Sequence, residues 1–228
     1  MTILLDIGLA LSLGGQLLLL LASKRLKFHR LSLPYQIFFS FLLAIIVIVL
    51  AAYSGVPWLN RLGLQPLGWF QLAYAAAAIV AVLVGSALLG SMQNALGGAD
   101  TKQKQTLQKL IDLPLSHKVF VFVAGVVAEE ILFRGYAIGI GQHVFGSVTI
   151  AFIISLVAFI AAHVRWGFKY QVIAVLWPGF VLSLLFVLTN NMFACILAHL
   201  VVNTVGISIE SMAYSRRRRT ATRSIEDG

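Results

Sequence analysis

The chain has 228 residues, of which 60% are hydrophobic and only 11% charged, and its mean hydropathy is +0.93. Soluble domains average about 25% charged residues, so this composition excludes an ordinary soluble domain and indicates a polytopic membrane protein. The net charge of +9 gathers at the flanks of apolar runs, where cytoplasmic-side positive charge and anionic headgroups account for it. The basic face on a folded polar module that nucleic acid would require is missing.

Seven apolar runs follow in chain order: 2–22, 33–54, 69–91, 118–139, 148–164, 171–189 and 192–211. Each approaches the roughly 20 residues that a membrane-crossing helix needs, and no separate soluble domain fits between them. The expected fold is therefore all-α, a polytopic transmembrane helical bundle of seven to eight helices. A single membrane-embedded domain over 1–211 is followed by a basic polar tail over 212–228, expected to be disordered and held near the inner leaflet.

The first run lacks a basic n-region and a small-residue cleavage site, so it reads as a retained helix. The third, AYAAAAIVAVLVGSALLGS over 73–91, is rich in small residues that permit close approach, which suggests a place inside the bundle; ordinary membrane-helix composition explains it as well. The stretch TLQKLIDLPL over 106–115 fits either a short interfacial helix stopped at Pro114 or an ordered loop. The fifth run covers only about 25 Å as a helix and is short enough to stop within the membrane.

Positive charge orients the bundle. With the N-terminus outside, KRLKFHR (24–30), the 101–118 connection, RWGFK (165–169) and the RRRR tail (216–219) all fall on the cytoplasmic side, whereas the opposite loops carry little charge. The C-terminus is then cytoplasmic. Short loops and compact length fit a multi-pass protein of a prokaryotic plasma membrane.

Three polar constellations interrupt the apolar runs. In VVAEEILFRGY (126–136), Glu129 lies about 16 Å along a helix from Lys118, near the membrane midplane, where an ionised side chain costs about 3 kcal/mol. Glu130 and Arg134 stand at i and i+4 and can neutralise each other. Glu129 is rotated about 100° from Glu130 and about 140° from Arg134, which leaves it the freer carboxylate. Gly125, one turn earlier, leaves space beside it for another helix or a substrate backbone.

The second constellation is FIAAH, with Phe159 and His163 at i and i+4. A histidine capping a helix C-terminus is its simpler reading. The third is HLVVN, with His199 and Asn203 at i and i+4, which could equally be interhelical hydrogen-bonding groups.

Together the three sets supply a base, proton-transfer groups and donors able to polarise a carbonyl. Cys195, the one cysteine, cannot form an intrachain disulfide and reads as packing, so water is the better nucleophile. Glu129, His163 and His199 are also acceptable zinc ligands, but no HExxH helix is present, and Asn203 and Arg134 fit a metal-free route more readily. Neither metal nor cofactor is expected.

EEILFRG (129–135), FIAAH (159–163) and HLVVN (199–203) resemble, in order and in embedding, the three motifs of the CAAX prenyl-protease and bacteriocin-processing (CPBP, Abi) family of glutamic intramembrane endopeptidases. The resemblance covers about residues 118–207 and does not extend to the first three spans. It implies that Glu129 activates water with help from His163, and that His199 and Asn203 stabilise the oxyanion. Glu130, Arg134 and Phe159 would support them. Family members commonly have eight membrane helices, one more than the runs counted here.

The implied substrate is a membrane-anchored peptide or protein, prenylated in some family members; the bilayer is the other partner, and no nucleic acid is expected. The competing readings are a non-catalytic, bacteriocin-immunity-like protein and a transporter that uses the buried polar cluster.

Overall fold

The computed structural model describes residues 2–25, 33–95, 112–163 and 175–226. Its helices are α1 (Thr2–Arg25), α2 (Leu33–Tyr53), α3 (Trp58–Arg61), α4 (Trp69–Ala95), α5 (Leu115–Glu129), a π-helical segment (Glu130–Ile140), α6 (Gly141–Phe145), α7 (Val148–Ala162), α8 (Leu176–Thr189) and α9 (Met192–Glu226). The described residues contain no strand. Three stretches, Pro34–Tyr53, Trp69–Met92 and Met192–Ile209, are long and apolar enough to cross a membrane by themselves. Because α5, the π-helical segment and α6 run on without a break, the apolar runs correspond to seven long helical passages, with α3 as an extra short turn.

Local chemistry sets the ends. At the hairpin between α6 and α7, Gly146 takes a left-handed φ of 66° and Ser147 caps α7 by accepting a bond from the Ile150 N–H at 3.3 Å. Between α8 and α9, Asn190 is left-handed at φ 42°, and the Asn191 side chain accepts from the Ala194 N–H at 3.0 Å.

This last turn is also tied to the 54–68 connection. The Met192 N–H donates to the Gly63 carbonyl at 2.8 Å, while the Asn190 and Asn191 amides donate to the carbonyls of Asn60 and Gln65, each at 3.0 Å. Gly63 sits at φ +70°, where an added Cβ would meet the Asn190 carbonyl at 2.9 Å, so the position requires glycine. The two connections thus meet at one end of the bundle, as the alternation of inner and outer loops demands.

Exposed Tyr53, Trp69 and Phe70 ring that same end, and exposed Tyr35 lies near the other end of α2. Tyr35 and Tyr53 are separated by about 27 Å of helix, close to the thickness of a hydrocarbon core, as expected of aromatic anchors at two interfaces.

The π-helical segment is the centre of the molecule. All eleven of its residues are buried, enclosed by α1, α7, α9 and the α3 connection. The close packing depends on glycine at Gly139, where a Cβ would collide with the Arg61 carbonyl.

One sequence expectation is revised. The small-residue helix α4 is peripheral: Ala75, Ala78 and Val82 are buried, and Gly85 makes room for Trp177 of α8, whose indole N–H donates to the Ala81 carbonyl at 3.0 Å, but most of its other residues face outward. Small residues here let one helix dock closely on one side. The space left by Gly125 is taken by another helix, one of the two occupants expected: Ile37 of α2 lies 3.3 Å from where a Cβ would stand.

Beyond residue 211, α9 continues to Glu226. A helix already nucleated extends at little cost through alanines and arginines, and no glycine or proline interrupts it. In keeping with its short run, α7 has only 15 residues, about 22 Å, so it ends short of a full crossing. The 106–115 alternatives and the basic loops 26–30 and 165–169 lie outside the described residues, apart from 112–115.

Candidate active site

The double-glutamate stretch sits at the junction of α5 with the π-helical segment, which aims its two carboxylates at different surroundings. Glu130 is fully buried. Its Oε1 accepts from Arg134 Nη1 at 3.0 Å, with both side chains at 0% exposure, and from His199 Nδ1 at 2.6 Å. Its Oε2 is buried without a protein partner among the described residues.

Arg134 is held on three sides. Besides Glu130, it donates through Nη2 to the Gly179 carbonyl at 3.2 Å, and its guanidinium carbon lies 4.5 Å above the centre of the Phe159 ring. Such a cation–π contact is worth most where water is excluded. Phe159 in turn meets Phe133 edge-on, with centroids 5.2 Å apart, and lies 4.6 Å from the His163 ring. The motif phenylalanine therefore joins the buried ion pair to the second histidine. Gly179 permits this, because a Cβ there would press on Phe159 at 2.9 Å.

Glu129 faces a different setting. It keeps 20% of its side-chain exposure, with Oε1 3.7 Å from His163 Nε2 and Oε2 4.0 Å from His199 Nε2. Both imidazoles are oriented by the nitrogen that points away from it. His163, just past the end of α7, places Nδ1 2.8 Å from the Phe159 carbonyl; a carbonyl only accepts, so Nδ1 carries the proton.

His199 Nδ1 likewise donates to Glu130, whose Oε1 already accepts from a permanently charged guanidinium. In its neutral form each ring presents an Nε2 lone pair toward the Glu129 carboxylate. Three acceptors converging in this way must share protons or water between them, and separations of 3.7 and 4.0 Å suit bridging through one water better than direct hydrogen bonds.

Asn203 lies one turn beyond His199 on α9 and is half-buried. Cys195, one turn before His199, is buried with its Sγ 3.7 Å from the Leu182 carbonyl, a packing position. Among the described residues no group of three His, Cys, Asp or Glu side chains is arranged to hold a metal ion.

The structure thus brings Glu129, Glu130, Arg134, Phe159, His163 and His199 into one contiguous cluster, with Asn203 adjacent on the same helix. Sequence reasoning missed the Gly179 carbonyl. Its only signal is a glycine after Pro178 in an otherwise apolar run, which is too common in membrane helices to be read alone.

Comparison with curated proteins and with solved structures gives no match. Comparison with family models gives one over residues 112–205, the stretch that contains every residue of the cluster, described as "Type II CAAX prenyl endopeptidase Rce1-like". The match agrees with the motif resemblance in both extent and kind: residues 112–205 are similar to the Rce1-like type II CAAX prenyl endopeptidases.

Proposed function

We propose that this protein is a metal-independent intramembrane endopeptidase in which Glu129 and His163 activate a water molecule against a peptide bond near a membrane anchor. The observation that carries the reading is the Glu129 carboxylate flanked by two imidazole Nε2 atoms at 3.7 and 4.0 Å, each ring oriented from its far side. A water bonded to Glu129 and to the His163 Nε2 lone pair loses a proton to this pair as its oxygen attacks the scissile carbonyl carbon. The C=O π-bond opens into an oxyanion.

His199 and Asn203 stabilise that oxyanion. Because His199 Nδ1 is committed to Glu130, its Nε2 donates to the oxyanion once it carries a proton of its own. The Asn203 amide N–H is the second donor. Collapse of the intermediate breaks the C–N bond, and the proton held by Glu129 and His163 passes to the departing amine. Glu130 and Arg134 keep His199 oriented without touching the substrate.

The family description supports a prenylated, CAAX-type peptide as substrate. The test uses purified protein in proteoliposomes with a quenched fluorescent peptide that ends in a prenylated CAAX-type sequence. Cleavage by the wild type and its loss in Glu129→Gln is the expected result. Cleavage by Glu129→Gln at the wild-type rate would sink the reading, and flux of an ion dependent on Glu129 without any cleavage would replace it with a transporter.

A further inference from the structure

Two buried serines that belong to no motif reach consecutive carbonyls of the π-helical segment. Ser12 of α1 donates to the Leu132 carbonyl at 2.7 Å, and Ser155 of α7 donates to the Phe133 carbonyl at 2.5 Å. Both serines are at 0% exposure.

A hydroxyl in a membrane helix usually bonds back to the carbonyl four residues earlier in its own helix. Ser40, Ser91, Thr204 and Ser208 do so here. Ser12 and Ser155 instead bridge to another helix, and the carbonyls they reach lie between Glu130 and Arg134, the two partners of the buried ion pair.

Further contacts hold the same stretch from the same two helices. On α1, Gly8 lies one turn before Ser12 and seats the Tyr136 ring, with which a Cβ would collide; the Tyr136 hydroxyl donates to the Leu5 carbonyl at 3.4 Å. On α7, Phe159 lies one turn beyond Ser155 and packs edge-on against Phe133. A run of π-helix is rare and depends on its surroundings, and two hydroxyl bonds in a water-poor interior are strong, directional supports.

We infer that Ser12 and Ser155 are positioning residues that hold the pitch of segment 130–140 and, through it, the Glu130–Arg134–His199 chain. On this assignment α1, which lies outside the family match, is part of the catalytic apparatus. The serines act through the Leu132 and Phe133 carbonyls and touch no reacting atom. Removing either hydroxyl lets the segment relax toward a tighter pitch, which turns Arg134 away from Glu130 and loosens His199.

The kinetic arm of the test rests on the endopeptidase reading, and the spectroscopic arm does not. Ser12→Ala and Ser155→Ala are compared with their Thr counterparts, which keep the hydroxyl, and with their Cys counterparts, which preserve size with a weaker donor. Ser54→Ala is the control, since Ser54, just past the end of α2, is also buried but its hydroxyl donates to the Ala51 carbonyl three residues earlier.

Each Ala variant should lower kcat about tenfold with KM nearly unchanged. The Cys variants should fall between Ala and wild type, at least one Thr variant should recover most of the rate, and the control should match wild type. In parallel, the side-chain nitrogen resonances of His199, followed by NMR on ¹⁵N-histidine-labelled protein and assigned by comparison with His199→Gln, should shift in the Ala variants and return with Thr.

Unchanged kcat and an unchanged His199 signal in folded Ala or Cys variants would overturn the inference. So would a loss that appears only in KM. If the wild type cleaves no prenylated peptide, the endopeptidase reading fails, and the His199 resonances alone decide whether the serines set its position. Should the Ala variants fail to fold, the Cys pair decides both arms.

Discussion

Two adjacent glutamates with opposite surroundings define the chemistry at the scale of single residues. Glu130 is sealed against Arg134 and His199, whereas Glu129 keeps a fifth of its side chain exposed. The two should therefore respond differently to the same isosteric change. Glu129→Gln should reduce peptide cleavage by about a hundredfold to ten-thousandfold, the range of a lost general base, while detergent-extracted yield and melting temperature stay at wild-type values. Removing the Glu130 charge leaves Arg134 buried and unpaired. Breaking such a pair costs about 3–5 kcal/mol, so Glu130→Gln should fall in folded yield and thermal midpoint as well as in rate, as size-exclusion profiles and thermal scans would record.

The asymmetry was legible in the sequence. The i, i+4 spacing pairs Glu130 with Arg134 and leaves Glu129 over, and the structure agrees. The way both imidazoles are fixed was less legible. The Phe159 carbonyl and the Glu130 carboxylate set which nitrogen of each ring carries a proton, and such bonds depend on ring rotation and on the approach of separate helices.

At the scale of elements, the hydrophobic runs located every long helix, but the change from α to π pitch after Glu129 was invisible. Helical periodicity is read from contrast between apolar and polar faces, and a segment buried on all sides offers none: EILFRGYAIGI is enclosed along its whole length. The serines were silent for a related reason. A serine that bonds within its own helix and one that bonds across to another look identical in sequence.

The crossing of the segment with the 54–68 connection gives a prediction of its own. A methyl group at Gly139 meets the Arg61 carbonyl rather than a movable side chain, so Gly139→Ala should destabilise the protein by about 1–3 kcal/mol, the usual range for overpacking. A lowered thermal midpoint in detergent would record it. Gly146→Ala offers a contrast: it meets no crowding and is limited to the strain of a left-handed turn, about 1 kcal/mol.

For the whole molecule, sidedness is open to direct measurement. Cys195 is buried and should stay silent to an impermeant maleimide in intact cells. Cysteines introduced at Gln65 and at Thr220 should then label from opposite sides, Gln65 from outside. Labelling of both from one side would contradict the positive-inside orientation. Metal dependence is tested on the intact protein as well: prolonged treatment with phenanthroline should leave the cleavage rate within about twofold of its starting value. Loss of activity that zinc restores would assign Glu129, His163 and His199 to a metal instead.

The 15-residue helix that ends at His163 carries one more consequence. Measured from its hairpin end at one face of the bilayer, the helix leaves His163 about 8 Å short of the far edge of a typical hydrocarbon core, so the local thickness of the lipid sets how far water must penetrate to reach Glu129 and His163. Reconstitution in phosphatidylcholines of increasing chain length should therefore slow turnover progressively without altering the fold. The bilayer would then act as a rheostat on hydrolysis, admitting the nucleophile where it thins and withholding it where it thickens.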